Sequence, residues 1–242
     1  MACFFLMSTP FTSPPRLRGR EIHAVFFDLD GTLVETDDQT VHRLQQRLVA
    51  WRAWLPDAHL PALARDLAGW LTSRFNQSIA LLDHFHLDDN VQRLLRRWDV
   101  VQSSVAPASL LPVAGTTALV QAVARRLPVA VISTRTVAEI AAYLAQQGLA
   151  GNVAVVIGSD NVERIKPHPQ PLLTAARLLG VSPAHALMVG DTQVDMLAAK
   201  AAGTLAAGVL CGFGERRDLR AADLILASTA DLAPWLGLGA AI

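Results

Sequence analysis

From His23 onward two apolar patterns alternate along the chain. Short uninterrupted runs rich in valine and isoleucine recur as "HAVFFDL" (23–29), "LPVAVIS" (127–133), "VAVVIGS" (153–159), "HALMVGD" (185–191), "TLAAGVL" (204–210) and "ADLILAS" (222–228). Between them lie stretches with helical spacing: "TTALVQAVARRL" (116–127), "TVAEIAAYLAQQG" (136–148), "PQPLLTAARLLG" (169–180) and "QVDMLAAKAAG" (193–203), several closed by a glycine suited to a left-handed helix stop. A strand without polar alternation is buried on both faces. Strands of that kind, each followed by a helix, predict an α/β fold: a Rossmann-like parallel sheet with helices on both sides.

The alternation is interrupted once. "TVHRLQQRLVAWRAWL", "LPALARDLAGWLTSRF" and "NVQRLLRRWDVVQSSV" carry helical periodicity with no strand between them. Residues 35–109 are therefore expected to form an inserted all-α helical cap, with the core assembled from 22–34 and 110–242. Trp51, Trp54, Trp70 and Trp98 all fall in this insertion and are expected to pack its interior, while His84 and His86 are read as ordinary surface or packing histidines. Residues 1–21 combine a short apolar run with proline, serine and arginine. They predict a flexible N-terminal tail with its arginines in solvent, its apolar run too short for a membrane span.

Composition narrows the partners. Hydrophobic residues make up 52% of 242 and charged residues 17%, so a sizeable core can be buried. The 21 basic residues balance the 21 acidic ones, leaving no global field that would favour a nucleic-acid polymer or an anionic membrane. Cys3 and Cys211 stand far apart with no CxxC pair, which argues against zinc or a disulfide framework and fits a reducing cytoplasm. Lys166 and Lys200 are the only lysines.

Charge then reappears where it is least expected. Asp28 and Asp30 stand one residue apart at the end of the first buried run, and Asp191 ends another. Ser133, Thr134 and Asp160 also fall just beyond strand ends, the edge where open α/β sheets bind ligands. Several carboxylates converging on one crevice repel each other unless a cation sits among them. Hard oxygen ligands in a small cluster suit Mg²⁺ held together with a substrate phosphate.

"FFDLDGTLVET", "VISTR", "IKPHPQPLL" and "MVGDTQVDMLAAKAAG", in that order and at these strand ends, resemble the four signature motifs of the haloacid dehalogenase superfamily. The likeness runs from His23 to the C-terminus. The insertion after the first motif and the closing "GVLCGFGERRDLRAADLILASTADL" resemble its phosphoglycolate phosphatase-like branch.

The resemblance implies roles residue by residue. Asp28 is the nucleophile that forms an aspartyl-phosphate, and Asp30 the acid and base that serves both half-reactions. Mg²⁺ lies between the Asp28 side chain, the Asp30 carbonyl and Asp191. Ser133 or Thr134, together with Lys166, binds phosphate oxygens, and Gly31 lets the chain turn closely past them. Asp195 holds a metal-bound water or orients Lys166. Asp160 is assigned to capping a loop or bracing Lys166, while His168 and Lys200 receive no role.

Asp30 separates this chain from true haloacid dehalogenases, and a cap without lysine separates it from phosphonoacetaldehyde hydrolases. The expectation is a magnesium-dependent hydrolase of a small phosphorylated metabolite, monomeric or homodimeric, with phosphoglycolate ranked first. A pyrophosphatase or nucleotidase, a β-phosphoglucomutase-like phosphotransferase and a non-catalytic phospho-ligand binding protein follow in that order. Arg74 and Asn76 are the cap's candidate substrate contacts.

Overall fold

The computed structural model describes residues 13–35 and 110–239. The predicted cap lies outside the described residues apart from Glu35, and with it Arg74, Asn76, the four tryptophans and both cap histidines.

All six apolar runs are strands, and all six are parallel. After a small hairpin of β1 (Arg16–Leu17) and β2 (Arg20–Glu21), the chain forms β3 (Ala24–Phe27), β4 (Val129–Ile132), β5 (Val155–Ile157), β6 (Ala186–Gly190), β7 (Leu205–Val209) and β8 (Leu224–Leu226). The order across the sheet is β5-β4-β3-β6-β7-β8. The helices are α1 (Thr116–Ala124), α2 (Val137–Gln146), α3 (Gln170–Leu179) and α4 (Gln193–Ala202).

Successive strand residues point to opposite faces, and here both faces are covered. Val25, Phe27, Val129, Val131, Leu187 and Val189 meet α1 and α2 in one core. Ala24, Phe26, Ala130, Ile132, Ala186 and Met188 meet α3 and α4 in the other. The second core is rich in alanine, with Ala175, Ala176, Ala198 and Ala199 on its helices, so backbones approach closely there.

The strand order positions the site. From β3 the chain steps outward to β4 and β5, then crosses back to place β6 on the other side of β3. The loops after β3 and β6 therefore diverge and open a crevice between them. Asp28 follows β3 and Asp191 follows β6.

The expected flexible tail gives way from residue 16. Arg18 and Gly19 both have positive φ, 48° and 78°, the turn that joins two antiparallel strands with matching twist. Leu17 and Ile22 are buried, and the Arg20 guanidinium donates to the carbonyls of Ala184 and Gly203, the latter at 2.8 Å. Arg16 and Arg18 are exposed, as expected of the tail's arginines, whereas Arg20 is half-buried.

The insertion leaves and rejoins the sheet domain at one place. Glu35 N–H donates to Leu111 O and Val113 N–H to Leu33 O, both at 2.9 Å. The Tyr143 hydroxyl also donates to Leu33 O at 3.0 Å, tying this crossing to α2.

Candidate active site

Three buried carboxylates and one buried ammonium meet at the crevice. Carboxylate oxygens of Asp28, Asp191 and Asp195 all lie within 4.8 Å of one another. The Lys166 side chain, reaching in from the β5–α3 loop, donates to Asp28 Oδ1 at 2.6 Å, Asp195 Oδ1 at 2.7 Å and the β4 carbonyl of Ile132 at 3.0 Å. Lys166 is 5% exposed and Asp28 7%. A buried charge of that kind persists only when paired.

Asp195 is spent on structure and on Lys166. Thr192 caps α4 by accepting from the Asp195 N–H, and Asp195 Oδ2 accepts in return from the Thr192 N–H and hydroxyl. One oxygen therefore caps the helix while the other orients the lysine. Because Thr192 takes the cap, Asp191 is free of that duty.

Asp191 is instead enclosed by close backbone. Its Oδ2 accepts from the Phe213 N–H at 2.8 Å and its Oδ1 from the Thr32 hydroxyl at 3.4 Å. A Cβ on Gly31 or on Gly212 would stand 2.2 Å from Oδ2, so both positions must lack a side chain for the carboxylate to sit there. Gly31 also has φ of 76°. The close approach foreseen at Gly31 is thus made to Asp191.

Asp30 lies apart from the lysine cluster, partly exposed, and is gripped by Arg135. The guanidinium Nε donates to Oδ1 at 3.0 Å and Oδ2 at 2.8 Å, and Nη2 donates to Oδ1 at 2.7 Å. Ser133 is buried at the end of β4 and accepts from the Arg135 N–H at 3.2 Å, whereas Thr134 is half-buried. Asp160 caps the first turn of α2 by accepting from the Val137 N–H, and His168 Nδ1 accepts from the Gln170 N–H. Lys200 is exposed.

The charges do not balance within the cluster. Burial pushes the Asp28 carboxyl up to about 7, with Asp195 and Asp30 adding to the rise against the pull of Lys166. Burial also raises Asp191 well above the usual carboxylate range, and Asp28 and Asp195 raise it further. Burial alone would lower Lys166, but Asp195 and Asp28 hold it above its ordinary value. Three carboxylates against one ammonium leave a deficit of positive charge that a hard divalent cation fits.

Sequence reasoning brought Asp28, Lys166, Asp191 and Asp195 to one place and set Asp30 and Ser133 beside it. It missed Arg135, although "VISTR" contained it, and it missed Thr32 and the Gly212–Phe213 loop. An arginine in an arginine-rich chain gives no signal by itself, and the loop after β7 carries only the pattern G-x-G.

The fold and these strand-end acids define a class, and the chain belongs to it: the haloacid dehalogenase-like hydrolase family, whose model matches residues 22–203. Within that family it is similar to phosphoglycolate phosphatases. The one from Shigella boydii is 34% identical over 90% of this chain and 94% of the relative, and that from Escherichia coli K12 is 33% identical over the same shares. Among solved structures, a haloacid dehalogenase family hydrolase from Deinococcus radiodurans, determined with bound phosphate and sodium, superposes with a TM-score of 0.64. It is 26% identical and the match covers 90% of this chain and 99% of that one.

Proposed function

We propose that this hydrolase removes phosphate from a small phosphorylated metabolite, phosphoglycolate first, through an aspartyl-phosphate on Asp28. The observation that carries the reading is the lysine-held carboxylate: Asp28 sits at the sheet's switch point with Lys166 at 2.6 Å and Asp191 within 4.8 Å. The names of its relatives support the substrate class.

Asp28, Asp191 and the Asp30 carbonyl would hold Mg²⁺, which when bound offsets carboxylate charge and draws in the substrate phosphate. Lys166 fixes one Asp28 oxygen and presents its charge to the phosphoryl oxygens, with Ser133 or Thr134 beside it. An Asp28 oxygen attacks phosphorus as the bond to the leaving alcohol breaks, and protonated Asp30 gives that alcohol oxygen its proton. In the second half, Asp30 takes a proton from water as the water attacks the aspartyl-phosphate. Phosphate leaves and the Asp28 carboxylate returns.

Residues 35–109, as a helical cap, would shape the leaving-group pocket, with Arg74 and Asn76 as its polar contacts. No helix among the described residues is long and apolar enough to cross a membrane. The unbridged Cys211 supports a reducing, cytoplasmic setting.

The test is turnover of p-nitrophenyl phosphate and phosphoglycolate with and without Mg²⁺. Wild-type protein should need the metal, Asp28→Asn should lose at least about 1,000-fold in kcat, and Asp30→Asn should slow both half-reactions. An Asp28→Asn variant working at the wild-type rate would overturn the nucleophile assignment.

A further inference from the structure

Building on the phosphatase reading, we propose that Arg135 is the positioning residue for the acid/base: its guanidinium fork fixes the direction in which the Asp30 carboxyl meets the leaving-group oxygen. Arg135 lies on the loop after β4, 105 residues from Asp30 in sequence, so no local requirement of the chain joins them. Its side chain is 6% exposed, and one guanidinium edge, Nε with Nη2, makes three hydrogen bonds to the carboxylate between 2.7 and 3.0 Å. Among the described residues the other edge has no partner, and Nη1 is buried and unbonded.

That asymmetry separates a positioning role from a merely structural one. Burying a guanidinium is costly, and an orphaned donor adds to the cost. An arginine kept for stability alone would be expected to satisfy both edges. Here every guanidinium bond among the described residues goes to a single carboxylate. A planar fork also defines an orientation, which the point charge of a lysine does not.

The geometry constrains how the proton moves. With both Asp30 oxygens in the fork, the oxygen that carries the proton taken from the hydrolytic water of the preceding turnover must turn out to reach the leaving group while the other stays on the guanidinium. As the Asp28 oxygen bonds to phosphorus and the phosphorus–oxygen bond to the leaving group breaks, the proton passes from the freed Asp30 oxygen to the departing alkoxide. Asp30 is left as a carboxylate, which the fork can take back. Arg135 keeps all its protons and touches no reacting atom.

The experiment compares leaving groups. A p-nitrophenolate departs without a proton, whereas an alkoxide needs one, so kcat/KM for p-nitrophenyl phosphate and for an alkyl phosphate such as phosphoglycolate report the step differently. For Arg135→Met the alkyl value should fall by about 100-fold or more while the aryl value falls by about tenfold or less, the pattern also expected of Asp30→Asn. Arg135→Lys keeps the charge without the fork and should recover part of the alkyl activity. It also carries the test should the methionine variant not fold, because the alkyl-over-aryl loss must persist in it. Equal losses on both substrates, or none, would overturn the assignment to Arg135. Wild-type protein that turns over neither substrate would overturn the phosphatase reading, and this proposal with it.

Discussion

At the residue scale, Lys166 decides whether the site can exist. It is buried, and its ammonium is shared between Asp28 and Asp195 at 2.6 and 2.7 Å. Removing it strands two buried carboxylates, a situation that costs on the order of 3–5 kcal/mol. Lys166→Met is therefore expected to lose about that much stability in urea unfolding of metal-free protein. Adding Asp28→Asn should restore part of the loss, because one of the stranded charges disappears. Purely additive effects would show that the pair is not coupled. The rarity of lysine in this arginine-rich chain had already singled out Lys166, since its role depends on a compact three-donor ammonium that can satisfy Asp28, Asp195 and the Ile132 carbonyl together. Arg135 has the opposite character: one arginine among many, identified only by where its fork points.

At the scale of elements, what the sequence revealed and what it hid have one cause. A parallel sheet buried on both faces writes each strand as an unbroken apolar run, so "VFF", "VAVI" and "ALMV" announced β3, β4 and β6, and their final polar residues announced the crevice. The capping pair Thr192 and Asp195 at the start of α4 was open to the same kind of reading. The hairpin of β1 and β2 was not. Two-residue strands have no periodicity to detect, and what holds them is a turn at Arg18 and Gly19 with contacts to Ala184 and Gly203, more than 160 residues away. The loop after β7 was hidden for a related reason, because Gly212 matters through its closeness to Asp191 and to the Gly31 carbonyl. Gly212→Ala would put a Cβ 2.2 Å from Asp191 Oδ2 and push the carboxylate aside. The expected outcome is a folded protein whose Mg²⁺ affinity by calorimetry falls at least about tenfold. Unchanged affinity would mean that Asp191 does not hold the ion.

At the scale of the whole molecule, the buried acids link folding, pH and metal. Burial raises Asp28 from its ordinary 3.8 to about 7, and Asp191 rises with it. A carboxyl whose value is higher in the folded state than in the unfolded chain binds more protons when folded. Its contribution to stability is present below the ordinary value and is lost as pH climbs through the folded one. Metal-free protein should therefore melt at progressively lower temperature as pH rises from about 4 towards 7 and beyond, a slope opposite to that of salt-bridged surface carboxylates such as Glu21. A divalent cation reverses this by replacing the protons, so Mg²⁺ at about 100 times its dissociation constant should return about 2.7 kcal/mol at pH 8. The return should shrink towards pH 5, where protons compete for the same oxygens. Calorimetric melts with EDTA and with Mg²⁺ at the two pH values measure the difference directly. An equal metal shift at both would mean that the ion binds away from Asp28 and Asp191, since no other buried carboxylates among the described residues are raised in this way.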